Sequence, residues 1–416
     1  MKKLIRTLSL LILALALSIT AVSCTFINDG PSGSGDPSGL PSASTQAQSV
    51  VLNTHPEQSR VELSLKDAVT LTDRTAVAIE MESGVGSGVI IDVADTGNFV
   101  YVITCHHVIS SGGKITVLIP DEECSYENND FIFEGEIGGA ISNSNAVSLV
   151  GGDRVSDIAV IKIDLSKPAV SGNVLALSKI QKAKIPTEDY KLVKGERVFS
   201  IGNPTGELPG SVADGVISYL EREVKVSEVG NMRLLQISVT TNPGNSGGGL
   251  YNLYGELVGI TNAGNTSYQS INYAIPVTSE KGNGFVDIAK QLIGSATATN
   301  YGYVDGRWEI GIEITRHSSL ATYYFEISKV IENSNASKAG LQVGDIINSI
   351  KIGEEIYSLD ANNMNFYMGL ARTELKIGDR FTLNVSRKIA GSNKYEAINV
   401  EVLIEVSGYI FMNTGA

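Results

Sequence analysis

Short runs of β-branched and aliphatic residues, separated by Gly-rich turns, recur along most of this chain and limit the folds that it can adopt. The clearest of these β-type runs cover 89–91, 99–103, 115–119, 158–163, 198–201, 234–239 and 257–260. Many short strands without long helices between them are typical of an all-β barrel or sandwich. The one clear helical pattern covers 284–293. A shorter mixed α/β segment follows, from about 301 to 407.

The composition narrows the classes of function. The chain has 416 residues, of which 43% are hydrophobic and 19% charged, and this predicts about two globular domains with real cores. The formal net charge is −13, and no basic stripe follows the first few residues. Because phosphate binding needs clustered Lys and Arg, nucleic acid is not expected as a partner.

The N-terminus has the pattern of an export signal. Three of the first six residues are Lys or Arg, and they precede an apolar run over 8–19 that is too short to span a bilayer well. Small residues then lead to Cys24, and this resembles the lipobox of bacterial lipoproteins, although Ala21 stands where Leu is commoner. The resemblance implies that Cys24 is lipidated. The alternative is an ordinary secretory signal that contains a cysteine.

Residues 28–48 are rich in Gly, Ser and Pro. Such a segment cannot bury enough apolar surface to order itself, so a flexible linker is predicted over 24–60. With a lipid on Cys24, this linker would hold the rest of the chain away from a membrane. The alternative is an N-terminal tail with no special role.

The strongest chemical signal is the segment NPGNSGGGL at 242–250. A nucleophilic serine needs a sharp Gly-rich turn, because its hydroxyl must be exposed and the amides beside it must point at the developing oxyanion. Ser246 is therefore the candidate nucleophile. The candidate oxyanion donors are the amides of Gly244, Asn245 and Ser246. Taken alone, the segment also has the composition of a Gly-rich hairpin turn.

A candidate base and a candidate orienting carboxylate lie upstream. Two of the four histidines, His106 and His107, follow a β-type run, and imidazole is partly neutral near pH 7, as the base for a serine must be. Asp157 stands at the start of an apolar strand, where it could orient the imidazole. The alternatives are a turn residue for Asp157, and a surface residue or metal ligand for the histidines. Since no convincing further ligands lie at metal-site spacing, no metal and no cofactor are predicted.

The order His, Asp, Ser is that of chymotrypsin-like proteases. The chain resembles the HtrA/Deg family of these proteases in seven segments that occur in the family's order, GSGVII (86–91), HVI (107–109), DIAV (157–160), IGNP (201–204), GVIS (215–218), GNSGG (244–248) and NYAIP (272–276). The match covers most of residues 76–290. It implies a mainly β fold with a chymotrypsin-like double β-barrel, polypeptide substrates and, as in many members of the family, a homotrimer.

The resemblance also implies roles for single residues. His107 would be the base, Asp157 the orienting carboxylate and Ser246 the nucleophile. His107 is preferred to His106 because the dipeptide Val-Ile follows it, as in the family. The family usually has Asn two residues before the histidine, where this chain has Cys105.

A second departure from the family lies between the histidine and the aspartate. An acidic, Asn-rich stretch over 121–146 is interpreted as a surface loop insertion. A disulfide between Cys105 and Cys124 could pin this loop near the active site of an exported protein. Nothing in the sequence requires that bridge.

The family fold also indicates which substrate side chains can precede the scissile bond. In it, the residue six positions before the serine lies at the base of the pocket for the side chain that precedes the scissile bond. Here that residue is the uncharged Thr240. The resemblance therefore implies cleavage after small to medium apolar residues such as Val, Ala or Ile.

The C-terminal segment resembles the PDZ domain of the same family, most clearly in AGLQVGDII (339–347). The resemblance implies a groove in which a peptide adds as a β-strand, flanked by a helix over 364–370. The backbone amides expected to hold the peptide carboxylate belong to Glu309, Ile310, Gly311 and Ile312. The alternative is that these residues are only sheet core.

The expected organisation is a signal peptide over 1–23, a linker over 24–60, a trypsin-like protease domain over 61–296 and a PDZ-like domain over 301–407. The predicted function is an exported, lipid-anchored serine endopeptidase of the cell envelope that cleaves misfolded or signal-bearing polypeptides. One alternative is a catalytically silent or chaperone-like peptide-binding protein with the same fold. Another is a β-protein without protease activity.

Overall fold

In the computed structural model, the described residues are 52, 54–55, 60–93, 97–121, 131–138, 144–226, 230–264, 270–279, 284–297, 301–304, 310–318, 323–359 and 375–405. The predicted signal peptide, Cys24 and most of the predicted linker lie outside these residues. So do Cys124, Glu309 and the predicted helix over 364–370.

Seven strands form a first closed barrel in the order β2-β3-β4-β8-β7-β6-β5. Their bounds are β2 Ala76–Met81, β3 Gly84–Val93, β4 Phe99–Cys105, β5 Gly113–Leu118, β6 Ile132–Ile137, β7 Val147–Asp153 and β8 Ile158–Asp164. Their inward-facing aliphatic residues are fully buried, as the β-type runs in the sequence predict.

Strand β6 corrects the interpretation of 121–146 as a surface loop. It pairs antiparallel with β5 along its whole length and completes the barrel wall. Phe133 and Ile137 of β6 are buried, while Glu134 is exposed. This alternation of apolar and polar residues has the period of a half-buried strand, and the acidic, Asn-rich flanks of the segment masked it.

Six strands form a second closed barrel in the order β10-β11-β12-β15-β14-β13. Their bounds are β10 Arg197–Gly202, β11 Ser211–Val226, β12 Gly230–Ile237, β13 Gly249–Asn252, β14 Leu257–Gly264 and β15 Asn272–Pro276. The two barrels confirm the predicted double β-barrel within a mainly β fold.

Short elements surround the barrels. Helix α1 (Leu65–Thr72) begins after Ser64, whose side chain accepts the N–H of Asp67. Strand β1 (Thr54–His55) pairs in parallel with β9 (Ile185–Pro186). Helix α2 (His106–Ile109) is a single turn after β4. Helix α3 (Phe285–Ser295) confirms the predicted helix and buries its apolar face.

A third sheet, near the C-terminus, has its own hydrophobic core. Its strands are β16 Ile312–Ser318, β17 Tyr323–Val330, β18 Ile346–Ile352, β19 Glu355–Ser358, β20 Arg380–Lys388 and β21 Tyr395–Leu403. Helix α4 (Asn335–Ala339) lies between β17 and β18. Within the described part of the chain, no helix is both long enough and apolar enough to cross a membrane.

Candidate active site

The candidate nucleophile lies in the turn between β12 and β13. Gly244 and Gly247 flank Ser246 with φ angles of 98° and 87°, which a residue with a side chain rarely adopts. A Cβ on Gly247 would stand 2.1 Å from the carbonyl oxygen of Ser87. The glycines in the GNSGG segment are therefore required by backbone conformation and by close approach to the first barrel.

Ser87 of strand β3 fastens this turn to the first barrel. Its Oγ donates to the carbonyl oxygen of Gly244 (2.8 Å) and accepts the N–H of Asn203 (2.8 Å). Its own N–H donates to the carbonyl oxygen of Ser246 (2.8 Å). The side chain of Ser87 is fully buried. Ser87 of the GSGVII segment therefore helps to position the candidate nucleophile, although the two serines are 159 positions apart in the sequence (246 − 87).

Two of the three backbone N–H groups predicted to bind the oxyanion are not already used in hydrogen bonds to the described protein residues. Among the residues that the structure describes, the N–H groups of Gly244 and Ser246 donate to no protein acceptor. Asn245 differs from the prediction, because its N–H donates to the carbonyl oxygen of Asn242 (3.0 Å). A donor already used within the turn cannot serve an oxyanion, so the candidate hole consists of Gly244 and Ser246.

His107 and Asp157 face each other across the end of the first barrel. The Nδ1 of His107 lies 2.6 Å from Oδ2 of Asp157, and the backbone N–H of His107 donates to Oδ1 (2.8 Å). Asp157 is fully buried and has a left-handed φ of 54°, a strained conformation that is enriched at functional sites. The side chain of His107 is 38% exposed, as a base that must reach a substrate requires.

The two neighbouring histidines are placed differently. The side chain of His106 is buried, and its backbone N–H donates to the carbonyl oxygen of Asp157 (3.0 Å). It is His107 whose ring lies against the carboxylate. This placement favours the assignment of His107 as the base, which the sequence made only through the dipeptide after it.

Asn262, near the end of β14, is a site residue that the sequence analysis missed. Its Nδ2 donates to Oδ2 of Asp157 (2.5 Å), and its carbonyl oxygen accepts the hydroxyl of Ser246 (2.9 Å). The carboxylate of Asp157 thus accepts two side-chain hydrogen bonds and one from the backbone, and these hold it in place. The sequence carries no local signal for this contact, since Asp157 and Asn262 are 105 residues apart.

Comparisons with known proteins identify relatives of this chain. A trypsin-like peptidase domain matches residues 86–260. The periplasmic pH-dependent serine endoprotease DegQ of Escherichia coli is 30% identical over 372 residues, which cover 84% of this chain and 70% of DegQ. The chain belongs to the HtrA/Deg family of serine proteases.

Other relatives of this HtrA/Deg family member match at similar levels. The serine protease Do-like HtrB of Bacillus subtilis is 29% identical over 309 residues, which cover 69% of this chain and 57% of HtrB. The chain therefore spans less than two thirds of the length of HtrB. A crystal structure of the serine endoprotease from Yersinia pestis is 26% identical, with a TM-score of 0.41 over 83% of this chain and 98% of that one.

For this HtrA/Deg protein, we expect Asn262→Ala to lower kcat about 10- to 100-fold with little change in KM. A hydrogen bond to a charged group contributes about 1.5–3 kcal/mol, and this one holds the carboxylate that orients His107. Steady-state kinetics on a peptide substrate measure the split between kcat and KM. The control is Asn252→Ala, which removes a buried Asn in the second barrel whose amide contacts Tyr190 and Glu256. Equal losses of kcat in both variants would contradict a positioning role for Asn262.

Cys105, the departure from the HtrA/Deg pattern, lies beside His107 and Asp157, with one ligand atom from each of the three residues within 4.8 Å of the others. It is a free thiol, fully buried, whose Sγ donates to the carbonyl oxygen of Thr261 (3.3 Å) and contacts Nδ2 of Asn262 (3.7 Å). The thiol of Cys105 is thus not in a disulfide here, and Cys124, which the sequence offered as a possible partner, lies outside the described residues. Burial and, second, the charge of Asp157 raise the pKa of this thiol well above its usual value.

The predicted specificity residue Thr240 is exposed, whereas Oγ1 of its neighbour Thr241 is buried. A Cβ on Gly264 would stand 2.9 Å from Oδ1 of Asn272 and 3.0 Å from Oγ1 of Thr241. Gly264 ends β14 two residues after Asn262, whose carbonyl oxygen holds the hydroxyl of the nucleophile. These residues carry no charge, in keeping with the uncharged pocket expected for this HtrA/Deg chain.

Three of the four residues predicted to hold a peptide carboxylate are described. Ile310 is buried, Gly311 has a φ of 81°, and Ile312 begins β16. A Cβ on Gly311 would stand 2.3 Å from Cβ of Ser334, so this position requires glycine. The role of these amides in binding stays a prediction for this member of the HtrA/Deg family.

Proposed function

We propose that this chain is an exported serine endopeptidase that cleaves misfolded or signal-bearing polypeptides through an acyl-enzyme. The observation that carries the proposal is the placement of His107 against the buried carboxylate of Asp157. Asn262 links this carboxylate to Ser246, because its Nδ2 donates to Asp157 and its carbonyl oxygen accepts the hydroxyl of Ser246. A buried carboxylate at 2.6 Å fixes the ring orientation and stabilises the imidazolium that forms when the serine is deprotonated.

The proposed reaction begins with the substrate carbonyl carbon in front of Ser246. Its hydroxyl oxygen attacks this carbon while Nε2 of His107 takes the hydroxyl proton. The N–H groups of Gly244 and Ser246 would stabilise the negative charge that develops on the carbonyl oxygen. His107 then gives the proton to the leaving amine, and water hydrolyses the acyl-enzyme by the same steps.

One rotation must precede this chemistry. The hydroxyl of Ser246 donates to the carbonyl oxygen of Asn262 in this structure. To pass its proton to His107, it must exchange that hydrogen bond for one to Nε2. The proposed reaction therefore includes a change in the side-chain rotamer of Ser246.

The first test is hydrolysis of casein by the full-length chain, with labelling by a fluorophosphonate probe. We expect cleavage of casein and a probe adduct on Ser246, because an activated serine attacks the phosphorus atom. Ser246→Ala is the control and should do neither. If the folded wild-type protein neither cleaves nor reacts, the alternative of a catalytically silent peptide-binding protein is favoured.

For specificity, we expect the highest kcat/KM with Val, Ala or Ile before the scissile bond. The residues around the proposed pocket, Thr240, Thr241 and Asn272, offer no carboxylate to pair with a basic side chain. Peptides that differ only at this position measure the preference. Efficient cleavage after Arg or Lys would contradict the proposed pocket.

The C-terminal sheet is proposed to be a PDZ-like domain that binds peptide C-termini beside Gly311. The left-handed backbone at Gly311 and the pairing of β16 with β17 support this proposal. A peptide would add to an edge of the sheet through backbone hydrogen bonds. This domain would deliver polypeptides to the catalytic site, and a homotrimer is a compatible assembly.

The proposed location is the cell envelope, with a lipid on Cys24 as the anchor. The support comes from the export signal in the sequence and from the relative DegQ, which is described as periplasmic. A Gly/Ser/Pro-rich linker would separate the anchor from the catalytic barrels.

A further inference from the structure

Three side chains of the catalytic site also form a set of metal-ligand atoms. One ligand atom each from Cys105, His107 and Asp157 lie within 4.8 Å of one another. We propose that this set binds a divalent cation of the Zn²⁺ type, and that the bound cation switches the catalytic site off. Metal binding does not depend on the proposed protease function. The proposed inhibition does depend on that function.

The chemistry of the three groups selects the cation. Thiolate sulfur, imidazole nitrogen and carboxylate oxygen are the three side-chain ligand types of Zn²⁺, and three protein ligands leave a fourth position for water. Ca²⁺ and Mg²⁺ bind mainly to oxygen, and this set contains only one carboxylate. The thiol and the imidazole therefore favour zinc and related transition metals.

The thiol is what distinguishes this chain from its family pattern. The usual residue at the position of Cys105 is Asn, whose amide is a poor ligand for zinc. In this chain, Sγ of Cys105 lies in a fully buried position beside the carboxylate of Asp157. That carboxylate also accepts a hydrogen bond from Asn262. Such an outer contact orients a ligand and strengthens a metal site.

Charge and proton balance are consistent with a bound cation. Zinc binds cysteine as the thiolate, so coordination by Cys105 displaces the thiol proton into solvent and releases one proton for each ion bound. The proton on Nδ1 of His107 moves to Nε2, which leaves Nδ1 free to coordinate.

The same rearrangement stops catalysis. Zinc bond lengths of about 2.0–2.3 Å place ligand atoms roughly 3.4–3.7 Å apart, so the 2.6 Å contact between His107 and Asp157 must open. The ring of His107 is the part that can move, since its side chain is 38% exposed while Cys105 and Asp157 are fully buried. With its proton on Nε2, His107 cannot accept the proton of Ser246. Metal binding and base catalysis therefore exclude each other.

The test is equilibrium dialysis of the full-length chain with Zn²⁺, together with absorption spectra of its Co²⁺ complex. We expect one ion per chain and a thiolate-to-cobalt charge-transfer band. Cys105→Ser should weaken binding more than about 100-fold, since it removes a direct ligand. The double variant Cys24→Ala/Cys124→Ser, in which Cys105 is the one remaining cysteine, should bind as the wild type does. Casein hydrolysis by the wild type should fall in proportion to zinc occupancy and recover with EDTA.

The outcomes separate the two proposals. Absence of Zn²⁺ binding by the wild type, or full binding by folded Cys105→Ser, would overturn the metal site. If Cys105→Ser does not fold, the cobalt complex of the double variant provides the test. A spectrum of that complex without a thiolate-to-cobalt band would also overturn the metal site. Ser246→Ala should bind zinc like the wild type. Zinc binding through Cys105 in a protein that never cleaves casein would leave the metal site standing and remove the protease proposal.

Discussion

Ser246→Ala and His107→Ala should each lower kcat by on the order of 10⁴- to 10⁶-fold, because the members of a catalytic triad act as a unit. His106→Gln should keep most of the wild-type kcat. The ring of His107 is the one against the carboxylate of Asp157, whereas the side chain of His106 is packed in the interior. Steady-state hydrolysis of a peptide substrate measures the three values.

The choice of variants separates catalysis from folding. His107 is 38% exposed, so its truncation should leave the fold intact, as circular dichroism and a thermal melt can show. His106 is buried, and Gln is used there because Ala would leave a cavity in the core. If the folded His106→Gln protein is inactive and His107→Ala retains activity, the assignment of the base is reversed.

Asp157→Asn should lower kcat on the order of 10⁴-fold while leaving the fold in place. The carboxylate accepts hydrogen bonds from the ring and the backbone of His107 and from Nδ2 of Asn262. An amide of the same shape must turn its own NH₂ group towards one of these donors. If this NH₂ group faces Nδ1 of His107, Nδ1 must accept a hydrogen bond and the ring proton must be on Nε2. This tautomer of His107 cannot accept the proton of Ser246.

The matched control for this prediction is Asp153→Asn. Asp153 is a buried carboxylate in the same turn, and it accepts hydrogen bonds from the N–H and Oγ of Ser156. We expect this variant to lower the melting temperature and to keep kcat within about tenfold of the wild type, because the loss is one of stability. A kcat for Asp157→Asn within tenfold of the wild type would contradict the orienting role.

Most of the fold follows from local patterns. The β-type runs became strands, and the helical pattern over 284–293 became α3, because alternation and helical spacing report which face of an element is buried. The exception is β6. Its alternating apolar and polar residues lie within an acidic, Asn-rich stretch. This composition leads to the interpretation of the stretch as a loop, although the alternation indicates a strand.

The residues by themselves predicted a mainly β fold, and the resemblance to the HtrA/Deg family implied the double barrel and the candidate catalytic residues in the order His, Asp, Ser. Each segment that carries this resemblance is a short contiguous run of residues. The sequence could not decide between His106 and His107 from the residues alone, because adjacent residues of a helix point about 100° apart and the direction depends on how α2 meets Asp157. Nor could it find the contacts of Asn262 and Ser87 with the catalytic residues, or the ligand set of Cys105, His107 and Asp157. Ser87 and Asn262 reach these residues only where the two barrels meet, since each contact joins a residue of one barrel to a residue of the other. Cys105, His107 and Asp157 come together within the first barrel, because β4 pairs with β8.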